Sequence, residues 1–307
     1  MLMLITIEVK KTMFNDKQII KSGETSENYQ AGGDITVNQG LSYSDVKDVA
    51  MSIFESNFYK LSDAAATIAT KRAEEMVETL LDKINKLEKD YPNIVSKIEN
   101  PDVQYAVVNA QKQYARSGNQ NMLNVLSDLL ANRFLSDEES LKSIVLNEAI
   151  EVITKLTINQ INIITTIFIV KNVQMNSASK FIEVLSSIMP HQIIETGESL
   201  SLYDHLMYTG AASSDLTSRG YQNLEYLISE SYSKDLDEQI DSSILNEIEP
   251  PVRKQFAIKQ EYERTFENWN RSLMRGYSLT SVGKAIAIAN INSSGNLELS
   301  LDTWIKD

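Results

Sequence analysis

Between Ile158 and Val170 the chain reads Ile-Asn-Gln-Ile-Asn-Ile-Ile-Thr-Thr-Ile-Phe-Ile-Val, without a charge and apolar on nearly every side of a helix. A helix with no face to give to water belongs at the centre of a bundle, so the rest of the chain has to supply its cover. Its most apolar part, Ile161 to Val170, is interrupted by Asn162, Thr165 and Thr166 and closed by Lys171. That is well short of the roughly 20 residues a membrane-spanning helix needs. No membrane partner is expected.

The neighbouring stretches have the periodicity of such cover. Ser42-Tyr-Ser-Asp45 has capping-box spacing, and Val46, Val49, Ala50, Ile53 and Phe54 follow at helical intervals. Leu61-Ser62-Asp63 restarts a long helix whose stripe is Ala65, Ala69, Ala73, Met76, Leu80, Ile84 and Leu87, ending at Tyr91-Pro92. Helices are predicted from Pro101 to Arg116 and Gln120 to Phe134, split by Gly118-Asn119, and then from Asp137 to Leu156. The inner positions are Met122, Leu126, Leu129 and Leu130 in the second of these, and Leu141, Val145, Ala149 and Val152 in the third. With only 11 Gly and 5 Pro in 307 residues, a turn-rich all-β fold is excluded.

Residues 1–41 differ in character. Asp34-Ile35-Thr36-Val37-Asn38 alternates between Gly32-Gly33 and Gly40, and Ile5, Ile7 and Val9 alternate near the start. Two readings stand for the second segment: a disordered arm, or a small β element in which Gly32, Gly33, Asp34, Ile35 and Val37 become ordered when copies from several chains stack edge to edge. MLMLITIEVKK meets Glu8 too soon and lacks a basic leader for a secretory signal, so a cytoplasmic protein is expected. The expected organisation is a polar β arm for oligomerisation over 1–41, a helical bundle over 42–175, and an acidic helical region over 176–307. The last contains a long helix from Val252 to Arg275 and ends in a short hairpin whose strand is Leu297 to Leu301. The fold class is mainly α.

Chemistry-bearing patterns are sparse. The absence of cysteine excludes disulfides, thiolate metal sites and cysteine nucleophiles. His191 and His205 have no ligand-like spacing, and no Walker A, GxGxxG, GxSxG or HExxH pattern occurs. Asp235, Asp237, Glu238 and Asp241 lack the glycine and the closing Glu of a calcium loop, and read as a solvated face. His205 with Asp204 and Tyr208 resembles a general-base group but has no identifiable nucleophile; a packed histidine is the preferred reading. No catalytic residue, metal ligand or cofactor is assigned, and the enzyme question leans toward no. The alternatives are a metal-dependent nuclease effector assembled from dispersed carboxylates, or a sensor or scaffold for a neighbouring effector.

The formal charge of −13 works against a nucleic-acid partner. Lys171 to Glu249 carries 13 acidic against 4 basic residues, most of that excess. In the last long helix Tyr262, Phe266, Trp269 and Leu273 form one stripe, with Arg264, Arg271 and Arg275 about 180° away. The plain reading is an amphipathic helix; the functional one is an electrostatic dock, either for nucleic-acid phosphates or for the acidic 171–249 region of this chain or a neighbour, the latter suiting the net charge better.

Two resemblances add to these readings. Asn28-Tyr-Gln-Ala-Gly-Gly-Asp-Ile-Thr-Val37, with Tyr43-Ser-Asp-Val46 and Asn57-Phe-Tyr-Lys-Leu-Ser62, resembles the opening of an uncharacterised bacterial family in which a GGDI segment precedes a helical body. Leu126-Ser-Asp-Leu-Leu-Ala-Asn132 and Glu148-Ala-Ile-Glu-Val-Ile-Thr-Lys-Leu-Thr157 are similar to the core of the Abi-alpha family of abortive-infection proteins. Leu279-Thr-Ser-Val-Gly-Lys-Ala-Ile286 looks like the close of a winged-helix-like unit in that group. The resemblance implies a non-enzymatic antiphage defence component that works as a homo-oligomer and contacts a phage protein or a partner effector. It carries no catalytic residue over.

Overall fold

Most of the helices in the first part of the fold begin where a side chain takes up free backbone N–H groups. Ser42 and Asp45 cap each other reciprocally, the Ser42 N–H donating to Asp45 Oδ2 (2.7 Å) and the Asp45 N–H to Ser42 Oγ (3.2 Å), and α1 (Tyr43–Asn57) follows. The restart at Asp63 opens α2 (Asp63–Leu87), in which Ala69, Ala73, Met76, Leu80 and Ile84 are buried as the stripe requires. A 3-10 turn over Ile94–Glu99 leads to Asn100, whose side chain accepts from the N–H groups of Asp102 and Val103 ahead of α3 (Pro101–Ser117). Gly118 ends α3 in the left-handed region (φ 61) and Asn119 caps α4 (Gln120–Leu135), so the dipeptide is both stop and start.

Ser140 caps α5 (Leu141–Val152), which tightens into a 3-10 turn over Ile153–Lys155. This helix is shorter than its periodicity predicts, and Leu141 is exposed at its first turn. Thr157 and Gln160 form a full capping box for α6 (Ile158–Asn172). Then come α7 (Ala178–Ile188), α8 (Leu200–Tyr208), α9 (Leu224–Tyr232), α10 (Gln260–Arg271) and α11 (Ser281–Ser294). The computed structural model describes residues 42–57, 63–92, 94–189, 199–215, 222–232, 260–295 and 297–306, all in one unit that starts at Leu41. The arm with Gly32, Gly33, Asp34, Ile35 and Val37, together with His191 and the 235–241 acids, lies outside the described residues.

The fold is mainly α. Every residue of α6 from Ile163 to Ile169 is buried, and its cover is α11, α7 and β2 (Tyr277–Leu279). The α11 helix also packs on α4 and α5, whereas α2 packs on α1, α3 and α4. One buried core thus runs from α1 to the residues after α11. Among the described residues none forms a helix long and apolar enough to cross a membrane.

Two expectations for the C-terminal region are corrected. The helix expected to reach Arg275 stops at Arg271, because the Ser272 N–H and hydroxyl both turn back to the Trp269 carbonyl and a 3-10 turn over Leu273–Gly276 follows. Leu297 to Leu301 is not a strand. Leu297 and Leu299 pack against the core, Asn292 satisfies both backbone groups of Leu299, and Ser300 caps a 3-10 turn at Leu301–Thr303. An alternating pattern buried on one side needs no pairing partner when a side chain supplies its hydrogen bonds. The sheet among the described residues instead pairs β1 (Ala212–Ser214) antiparallel with β2, Ala212 opposite Leu279 and Ser214 opposite Tyr277.

Lys171, at the end of α6, holds this seam by donating to Asp215 Oδ2 (2.8 Å), the Arg275 carbonyl (2.9 Å) and the Tyr277 carbonyl (2.7 Å). These account for all three ammonium donors. Gly283 meets the seam from α11: a Cβ there would lie 1.9 Å from the Ala211 carbonyl oxygen. Gly283→Ala is expected to cost about 1–3 kcal/mol in urea unfolding, because backbone, unlike a flexible side chain, cannot step aside.

A second tie joins α3, α4 and α5. Arg133 is 2% exposed and donates to Asp102, Asn147 Oδ1 (3.1 Å) and Ser136 Oγ (3.1 Å). Its guanidinium, with the Asn147 amide, holds the Asp102 carboxyl below its ordinary value. The cost of breaking the pair is unequal, because the Asp102 side chain is half exposed. Asp102→Ala strands a buried cation and should lower unfolding free energy by about 3 kcal/mol, whereas Arg133→Met leaves a solvated carboxylate and should cost about 1 kcal/mol.

Candidate functional site

Where α2, α4 and α11 meet the C-terminal residues, the surface opens into a groove of about 970 Å³. The α2 helix contributes Lys83 and Lys86, α4 contributes Asp128 and Asn132, and Lys142 comes from the first turn of α5. Asn292 of α11 and Glu298, Asp302 and Lys306 beyond it add to the polar lining, as do Ser136, Asp137 and Ser140 between α4 and α5 and Ser300 near the C-terminus. The wall nearest the C-terminus is fixed by the Asn292 clasp on Leu299 and by an ion pair between Lys142 Nζ and Asp302 Oδ1 (2.7 Å). The lysine holds the Asp302 carboxyl below its ordinary value, helped by Ser300.

Asp128 is the unusual member. It stands between Leu126 and Leu129 on α4, both fully buried, and its own side chain is 14% exposed. Lys83 Nζ reaches its Oδ1 at 3.2 Å, and the Asn132 amide donates to its Oδ2 at 3.3 Å and to its backbone carbonyl at 3.0 Å. Burial pushes its carboxyl above the ordinary value, outweighing Lys83 and Asn292, and Glu298 adds repulsion. The groove therefore has a carboxylate that is costly to ionise at its floor, with lysines and further carboxylates interspersed around it.

The arginines singled out from the sequence separate. Arg264 and Arg271 are exposed on α10, opposite the buried Phe266 and Trp269. Arg275 is past the helix end in the 3-10 turn, partly buried, with Nη1 donating to Asn223 Oδ1 (3.1 Å). His205 packs: its Nδ1 lies 2.9 Å from the Gln160 amide, which also donates to the Leu202 carbonyl, and its ring stacks on Tyr208. Among the described residues no three His, Asp or Glu side chains gather in a way that would hold a metal ion.

The sequence reading passed over Asp128. The signal was a single acid inside the apolar run Leu126-Ser-Asp-Leu-Leu-Ala131, at a position whose neighbours are all core.

A family model matches the chain over residues 40–260 and 246–305, starting beyond the GGDI segment, and the family it describes is uncharacterised. No curated protein and no solved structure matches it.

Because the raised carboxyl of Asp128 takes up a proton more readily folded than unfolded, its contribution to stability is full below the ordinary value near 3.8 and is lost as pH rises through the folded value. The stability of the wild type relative to Asp128→Asn should accordingly fall as pH is raised from about 4 toward neutrality in a urea-unfolding series.

Proposed function

The chain belongs to that uncharacterised family, and from this premise we propose that it is a non-enzymatic bacterial antiphage component of the abortive-infection type. It acts in the cytoplasm through self-assembly and contacts with a phage protein or a partner effector. The observation that carries this reading is the outer face of α8, where Leu200, Met207 and Tyr208 are 57%, 37% and 86% exposed. They stand at i, i+7 and i+8 along the helix, flanking the stripe of the buried Tyr203 and Leu206. Large apolar side chains grouped on a helix face favour a protein partner, aromatic and Met side chains above all.

The buried charges support the same view. Arg133 is spent on Asp102, Lys171 on Asp215 and two carbonyls, and Lys83 on Asp128, so each ties one element to another. None leaves a base beside a nucleophile. The likeness of Leu126 to Asn132 and Glu148 to Thr157 to the Abi-alpha core supplies the defence context. In this reading Gly32, Gly33, Asp34, Ile35 and Val37 join protomers edge to edge, and Arg264 and Arg271 give α10 a cationic docking face.

A phage-plating assay tests the proposal. Cells expressing the protein should resist at least some members of a broad phage panel, and deleting residues 28–40 should remove resistance while lowering the mass in solution. Unchanged plating across the panel, or an unchanged mass, counts against it.

A further inference from the structure

A smaller hollow, of about 260 Å³, opens where α4, α6, α7 and α11 meet, and none of the described residues lining it is charged. We propose that it binds a neutral, hydroxyl-rich small molecule of the size of a single sugar ring, its hydroxyls shared between the asparagines of α4 and α6 and the serines of α7 and α11. The volume lies just under the roughly 300–1,000 Å³ of pockets for drug-sized ligands. The site shares no residue with the α8 face, so the two can be tested apart.

Charge narrows the ligand first. In a chain of which 23% is charged, a wall built of Asn, Ser and Ile has nothing to offset the desolvation of an ionic ligand. An apolar ligand is disfavoured for the opposite reason, since it would take amides and hydroxyls out of water and leave them unpaired. A neutral polar molecule avoids both costs.

The hydrogen-bond roles narrow it further. Ser187 Oγ donates to the Val184 carbonyl (2.8 Å), Ser293 Oγ to the Asn290 carbonyl (2.8 Å) and Ser294 Oγ to the Ile291 carbonyl (2.6 Å). A hydroxyl has one hydrogen, so each of these oxygens is left as an acceptor. Asn290 gives an amide hydrogen to Thr165 Oγ1 (3.0 Å), and its Oδ1 remains an acceptor as well. On α4 and α6 the side chains of Asn121, Asn124 and Asn162 make no hydrogen bond among the described residues and are able to donate or accept. A wall of this kind calls for several uncharged donors. A sugar ring supplies one from nearly every carbon, whereas a peptide group supplies one in all. Ile158, 39% exposed, and Ile188 give the C–H face of such a ring an apolar surface.

The hollow also accounts for the interruptions in the most apolar stretch of the chain. Asn162, Thr165 and Thr166 share one face of α6, and Thr166, one turn from Asn162, is fully buried with no partner for its Oγ1. The stripe reaches the surface at Asn162, in the wall of the hollow.

Saturation-transfer NMR on the full chain tests the site, with glucose, mannose, ribose and N-acetylglucosamine as probes, cyclohexanol as a ring with one hydroxyl, and glucuronate as a charged ring. At least one of the sugars should bind at millimolar concentration, with cyclohexanol and glucuronate at least about tenfold weaker. Joint replacement Asn124→Leu and Asn162→Leu nearly keeps the side-chain size and should weaken binding of that sugar by at least about tenfold. Ser293→Ala with Ser294→Ala, at the end of α11, should also weaken it and decides the matter if the first variant does not fold. Binding of none of the sugars at millimolar concentration, cyclohexanol or glucuronate binding as tightly as the sugar, or sugar binding indifferent to the folded variants would overturn the proposal.

Discussion

Two helices without a wet face, α6 and α11, lie against each other at the middle of this protein, and the remaining architecture follows from having to cover them. Ile163, Ile164, Ile167, Phe168 and Ile169 on one and Ala285, Ile286, Ile288, Ala289 and Ile291 on the other are all buried. Neither helix could persist in water alone, since burial of the apolar surface on all sides is what offsets the entropy of ordering it. The α4 and α5 helices close over α11, α7 over α6, and α2 with α3 extends the core outward from α4. One polar contact crosses the centre, the Asn290 amide donating to Thr165 Oγ1 (3.0 Å), which fixes how the two helices are turned against each other.

Charged side chains enter this interior only where they fasten one element to the next. Arg133 links three helices, and Lys171 links α6 to the β seam. Each is satisfied by several acceptors, the condition under which burying a cation is tolerable. Asp128 follows the same rule at the edge of a groove: its pair with Lys83 ties α4 to α2, and burial still raises its carboxyl against the contacts from Lys83 and Asn292.

The sequence made the amphipathic helices readable because a wet face and a dry face produce a period. The α2 stripe from Ala69 to Ile84 and the Gly118-Asn119 break are seen where the spacing puts them. Its blind spots share a cause. The α11 segment Ser-Val-Gly-Lys-Ala-Ile-Ala-Ile-Ala-Asn has small and branched apolar residues on every side, so there is no contrast for periodicity to detect. Leu297 to Leu301 alternates as a strand would, yet the alternation records one-sided packing with Asn292 in place of a pairing strand. The groove was hidden for another reason: Lys83, Asp128 and Lys306 are brought together only by the packing of α2, α4 and the residues after α11, and no local pattern encodes that.

The partners at the centre are far apart along the chain, Thr165 and Asn290 being separated by 125 positions. During synthesis α6 therefore emerges long before α11, and for that interval its isoleucines have only the part of their native cover that α7 supplies. Such topology slows folding and prolongs the exposure of sticky surface.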